Sequence, residues 1–147
     1  MKKTLIQIYE RDILKFKDEI SKYKDERTLW ITAAGIRNSA GNLCLHLVGN
    51  LNHFIGAVLG KNGYQRERDK EFSLKDIPAD ELMNMIDRTR QVVVDTLSAI
   101  SEKDLALDFP QKIFDQVHKT DFVLMHLLAH LNYHLGQINY HRRLLEK

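Results

Sequence analysis

The chain has 147 residues, a length that fits one compact domain with a real core. Hydrophobic residues make up 44% and charged residues 29%, which excludes disorder throughout. Its 22 basic and 20 acidic residues nearly cancel and are interspersed, so there is no basic face of the kind that binds nucleic acid, and no such partner is expected.

The first helix is expected from about residue 3 to residue 23. Leu5, Ile6, Tyr9, Ile13, Phe16 and Ile20 fall at helical spacing, with Lys, Glu and Asp on the other face. Met1-Lys2-Lys3 is basic, but Gln7, Glu10, Arg11 and Asp12 interrupt the apolar residues after it, so no signal peptide is expected. Residues 25–40 read as a connection; the run Lys22, Lys24, Arg27 at its start is broken by Asp25 and Glu26 and reads as a solvated helix end. Asn38 or Ser39 can cap the second helix by accepting from an unpaired amide of its first turn. That helix carries Leu43, Leu45, Leu47, Val48, Leu51, Phe54, Ile55 and Val58 and stops near Gly60, where Lys61-Asn62-Gly63 is turn chemistry. Cys44, inside it, is the only cysteine, so neither an intrachain disulfide nor a cysteine-based zinc knuckle can form.

Residues 64–77 are charged and predict a connection long enough to cross a bundle lengthwise, which would leave the second and third helices parallel. Pro78 and Asp80 open the third helix, whose core side is Leu82, Met85, Ile86, Val93, Leu97 and Ile100. Residues 105–119 are irregular again. Thr120 or Asp121 caps the fourth helix, which runs to about residue 145. No linker divides residues 1–147 and no repeat is visible. The expected fold is all-α: a single-domain four-helix bundle with a long crossover between helices two and three. No run approaches the ~18 apolar residues of a membrane span, so no membrane partner is expected and the cytoplasm is the expected compartment.

Six of the seven histidines lie on two helices: His46 and His53 on the second, His126, His130, His134 and His141 on the fourth. His126, His130 and His134 are spaced four apart, and each such step turns only ~40° about the axis, so they form one stripe. The stripe borders the buried face given by Val123, Leu127, Leu131 and Ile138. A His-x3-His pair such as His130 and His134 is a chelator for transition metals, which imidazole suits and calcium or magnesium does not. The spacing alone leaves chelation and hydrogen-bonded boundary histidines both open. His46 sits in an equally apolar setting, whereas His53, His118 and His141 read as bystanders.

The run His130-Leu-Asn-Tyr-His134-Leu-Gly-Gln-Ile138 resembles the last-helix signature of the DinB-like (YfiT-like) metal-binding bundles. Asn42-Leu-Cys-Leu-His46-Leu-Val-Gly49 resembles their second-helix motif, and residues 64–72 are similar to a charged motif of one branch. The resemblance spans nearly the whole chain and implies a divalent metal, zinc or nickel, held by His46, His130 and His134. His126 matches a position that is often histidine in that family and reads either as a residue orienting a ligand or as a boundary histidine on the same face. Leu135 stands where the family often has Arg, so no basic residue serves there. Gly136 reads as a point of close helix approach and Gln137 as a bond to neighbouring backbone.

The activity implied is that of a metal-dependent thiol transferase or hydrolase, with a small-molecule substrate and a low-molecular-weight thiol as co-reactant. Arg66 and Arg68 are candidates for binding carboxylates of such a molecule, or else for pairing with Glu67, Asp69 and Glu71. Glu71 and Asp69 are candidate bases if their loop folds over the metal. The other expectation is a non-catalytic, metal-stabilised bundle: a stress-related binding module or homodimer using Trp30, Phe109 and Phe114 as its surface.

Overall fold

The computed structural model describes all 147 residues. Helix α1 spans Lys2–Ser21 and buries Leu5, Tyr9, Ile13, Phe16 and Ile20 along one stripe. A 3-10 turn at Glu26–Trp30 comes next, with Asp25 accepting from the Arg27 amide. Helix α2 spans Ala40–Leu51; its N-cap is Ser39, whose hydroxyl accepts from the Asn42 amide at 3.2 Å. Every α2 residue is buried, because the other helices cover it on several sides. The same rod continues as a π-helical stretch, Asn52–Leu59, where the Gly60 amide reaches back to the Ile55 carbonyl at 2.8 Å. Helices α3 (Arg68–Ser73), α4 (Ala79–Ala99) and α5 (Thr120–Leu145) complete the fold, with a 3-10 turn at Asp104–Ala106.

Side-chain pairs fix the helix directions. Lys2 donates to the Ser98 and Ile100 carbonyls, Glu10 pairs with Arg90 and Lys17 with Asp87, so α1 and α4 run antiparallel. Tyr9 donates to the Leu124 carbonyl, Asp12 accepts from Asn132, and Glu19 accepts from Asn139 and Arg142, so α1 and α5 run parallel. Asn52 donates to Thr89, while Gly56 and Gly60 press against Val92 and Thr96, so α2 and α4 run parallel too. The crossover between them therefore traverses the bundle, as its length suggests.

The crossover is not wholly irregular: α3 is a fifth helix within it, held to α2 by the Asn42 amide donating to the Glu71 and Leu74 carbonyls. Tertiary contact, rather than apolar periodicity, makes that turn helical. The α5 cap also differs from expectation. Lys119 holds the cap position without a side-chain capping bond, and Thr120, at the first helical position, donates its hydroxyl to the Leu107 carbonyl. Of the aromatics expected to form a dimer surface, Phe109 is core and Trp30 packs over Gly41, leaving Phe114 exposed. No helix is long and apolar enough to cross a membrane.

Candidate metal centre

Helices α2 and α5 lie against each other, and their facing sides bring His46, His130 and His134 together. His130 Nε2 lies 3.1 Å from His46 Nε2 and 3.1 Å from His134 Nε2. One ligand atom from each of the three lies within 4.8 Å of the others. Nitrogens bound to one tetrahedral zinc ion sit roughly 3.4 Å apart, so the cluster is near that size.

Two of the rings are oriented from behind. His46 Nδ1–H donates to Glu71 Oε1 at 3.0 Å, and His134 Nδ1–H donates to Gln137 Oε1 at 2.6 Å. Both rings therefore turn an Nε2 lone pair toward the centre. His130 Nε2 cannot satisfy both lone pairs with one hydrogen, and the buried His130 Nδ1 has no partner. A cation at the centre satisfies three lone pairs at once, which is the physical sense in which these residues fit a transition metal. Burial, reinforced by the neighbouring imidazoles and Arg66, pushes His130 down to about 4. Burial also lowers His134, against the hydrogen bond to Gln137. Neutral rings are the form that binds metal.

Glu71 is the support that the sequence indicates only ambiguously. It is 6% exposed, and Arg66 grips both its oxygens at 2.8 Å. Burial works to raise its carboxyl, but the bonds and charges of Arg66 and His46 prevail and hold it below the ordinary carboxylate range. With both oxygens occupied, Glu71 is a positioning residue and not a free base. Asp69 is exposed and stands outside this network. Gly49, one turn after His46, makes the approach possible: a Cβ there would lie 1.9 Å from Glu71 Oε2.

The other expected residues are placed differently. His126 hydrogen-bonds to none of the three; its ring packs edge-on to Phe114, 5.4 Å between centroids. The orienting role expected of it falls to Glu71 and Gln137. Gln137 thus serves His134 and not neighbouring backbone, and Gly136 faces open space and not a helix. His53 bonds to Gln111, His118 stacks on Phe122, and His141 is buried between Tyr23 and the Ile31 carbonyl. Arg66 is committed to Glu71, whereas Arg68 lies over the Phe72 ring, 5.4 Å from its centroid, and forms no ion pair. Cys44 is buried, which pushes its thiol up, and it takes no part in the cluster.

Beside the histidines opens a cavity of about 340 Å³, to which His46, His130 and His126 contribute along with Asn50, Arg66 and Arg68. Its outer wall comes from the loop before α5, including Lys112, Ile113 and Phe114.

A family model described as "Protein of unknown function (DUF1572)" matches residues 3–147. No curated protein matches the chain. The fold is similar to the crystal structure of a DinB-like protein from Bacillus cereus ATCC 10987, with a TM-score of 0.73 at 20% identity. That match covers 95% of this chain and 89% of the other, and it shows the bundle fold. The expected likeness to DinB-like bundles is thereby borne out.

Proposed function

We propose, from the premise that this chain belongs to the DUF1572 family and folds as a DinB-like bundle, that it is a metal-dependent enzyme acting on a small molecule by thiol transfer or hydrolysis. The observation that carries this reading is the donor set: three histidines, of which His46 and His130 line a cavity, with the Glu71 carboxylate already committed to His46 and Arg66. Structural zinc sites close with four protein ligands, whereas catalytic ones use three and leave a position for water or substrate. His46, His130 and His134 would hold the ion, zinc or nickel by the chemistry of imidazole. A bound divalent metal supplies Lewis acidity and lowers the pKa of a ligated water or thiol.

The chain's own residues prepare the rest. Glu71 and Gln137 fix the His46 and His134 tautomers, so the imidazoles need no reorientation when charge develops. Arg66 keeps Glu71 ionised, which makes that carboxylate a dependable acceptor. His126 is an uncommitted imidazole lining the cavity and is suited to take the proton released by a thiol or water.

A competing reading makes the ion purely structural, favoured by the origin of its ligands on two different helices. Purified protein would be analysed for bound zinc and nickel, then assayed with low-molecular-weight thiols plus 1-chloro-2,4-dinitrobenzene, and separately with a nitrophenyl ester. Metal-dependent turnover lost in His130→Ala supports the enzyme. Bound metal with no turnover, and a melting temperature that collapses on chelation, supports the structural ion. Absence of any bound or rebound divalent metal defeats both.

A further inference from the structure

The cavity beside the histidines is charged in one sense only: Arg66, Arg68 and Lys112 line it and no carboxylate does. Arg66 is neutralised by Glu71, but Arg68 and Lys112 have no ion-pair partner. Two uncompensated cations lining one concave space give it a potential that favours an anion. Phe54, Ile113, Val123 and Leu127 supply the apolar part of the lining. Toward α2 the lining becomes polar. There Asn50 and His46 line it.

A strained turn supports the same assignment. Ile113 and Gln116 exchange backbone hydrogen bonds at 2.9 and 3.0 Å across Phe114 and Asp115, whose φ values are +51° and +60°. Both central residues of this turn occupy the left-handed region, where Gly, Asn or Asp is usual and a bulky residue such as Phe is an outlier. The strain places the Phe114 ring over His126 at the cavity mouth while leaving it 75% exposed. Its one aromatic contact is this edge-on packing, so the ring is free to cover whatever the cavity holds.

We propose that this cavity binds a small organic anion with an apolar body, its carboxylate or phosphate-type head held by Arg68 and Lys112 and its apolar part covered by Phe114. This names the substrate class of the proposed enzyme. It rests on that reading only for the claim that the bound molecule reacts.

Binding is measured by calorimetry at low salt on protein stripped of metal by chelator, and again after zinc is restored. The probes are 3-phenylpropionate, 2-phenylethylphosphonate and the neutral 3-phenylpropionamide. At least one of the anions should bind metal-free protein, the amide more weakly, and the better anion identifies the head group. Arg68→Gln and Lys112→Gln should each weaken anion binding about threefold to tenfold. Phe114→Gly should weaken it roughly threefold or more while leaving the melting temperature unchanged or raised, because it relieves the turn. That combination separates a ligand contact from a folding defect. Failure of both anions to bind, equal binding of the amide, or undiminished binding by the Arg68→Gln/Lys112→Gln double variant overturns the proposal. Anion binding without metal-dependent turnover defeats the enzyme reading alone; turnover without anion binding defeats this site alone.

Discussion

Replacing Gly49 with alanine tests the support of His46 through the sign of a stability change. In an ordinary helix interior the substitution stabilises by about 1 kcal/mol, because glycine has the larger backbone entropy to lose. Here the new Cβ would sit 1.9 Å from Glu71 Oε2 and 2.6 Å from its Cδ, so the carboxylate must leave. Leaving breaks the two-point grip of Arg66 and the His46 bond, in a network where the Glu71 side chain is 6% exposed. Losing one partner of a buried ion pair costs roughly 3–5 kcal/mol, which outweighs the helix gain and leaves a net loss of about 2–4 kcal/mol. For a chain of this size that lowers the melting temperature by roughly 5–12 °C. Metal affinity should fall about 10- to 100-fold as His46 loses its orienting carboxylate. Gly136→Ala is the control, since nothing lies within 4 Å of the position, and it should raise the melting temperature by about 2–4 °C. Thermal melts with and without chelator, and metal titrations against a competing indicator, measure both quantities. If Gly49→Ala melts higher, as the control does, and binds metal as tightly as wild type, Glu71 does not hold the site in this way.

The same geometry sets two further outcomes. Gln137→Ala should leave the metal-free melting temperature within a degree or two, because Gln137 is exposed, yet weaken metal binding about 10-fold or more through His134; an unchanged titration would show that Gln137 has no part in the site. At acid pH, Asp12 is the buried carboxylate to watch. Burial works to raise it, but the bonds from Arg11 and Asn132 and the charges of Arg11 and Lys15 outweigh that and hold it below its ordinary value. Its stabilisation is therefore present above the unfolded value, near pH 4, and lost as pH falls through the folded one. Urea midpoints of Asp12→Asn between pH 6 and pH 3 should fall less steeply than wild type; parallel curves would assign the acid limb elsewhere.

The four long helices were legible because the chain itself displays their apolar period, such as Leu5, Tyr9, Ile13, Phe16 and Ile20 on α1, although α2 is buried all round. The His130 and His134 spacing was legible for the same reason, since four residues along a helix is a fixed geometry. Their link to His46 came from resemblance alone, because spacing within a helix says nothing about what another helix brings opposite it. Helix α3 was not legible: it has six residues and no apolar stripe, and exists where Asn42 and the groove at Gly49 receive it. The roles of Glu71 and Gln137 were hidden for a related reason. A charged residue in a charged run looks solvated until tertiary contact removes its water, and Gln137 acquires its meaning from the His134 ring it orients. The sequence by itself determined a helical bundle bearing a chelating pair, because periodicity is local. Tertiary structure alone decided which carboxylate stands behind His46, which arginine is committed, and which cations face the cavity, because those depend on what the crossover lays across α2.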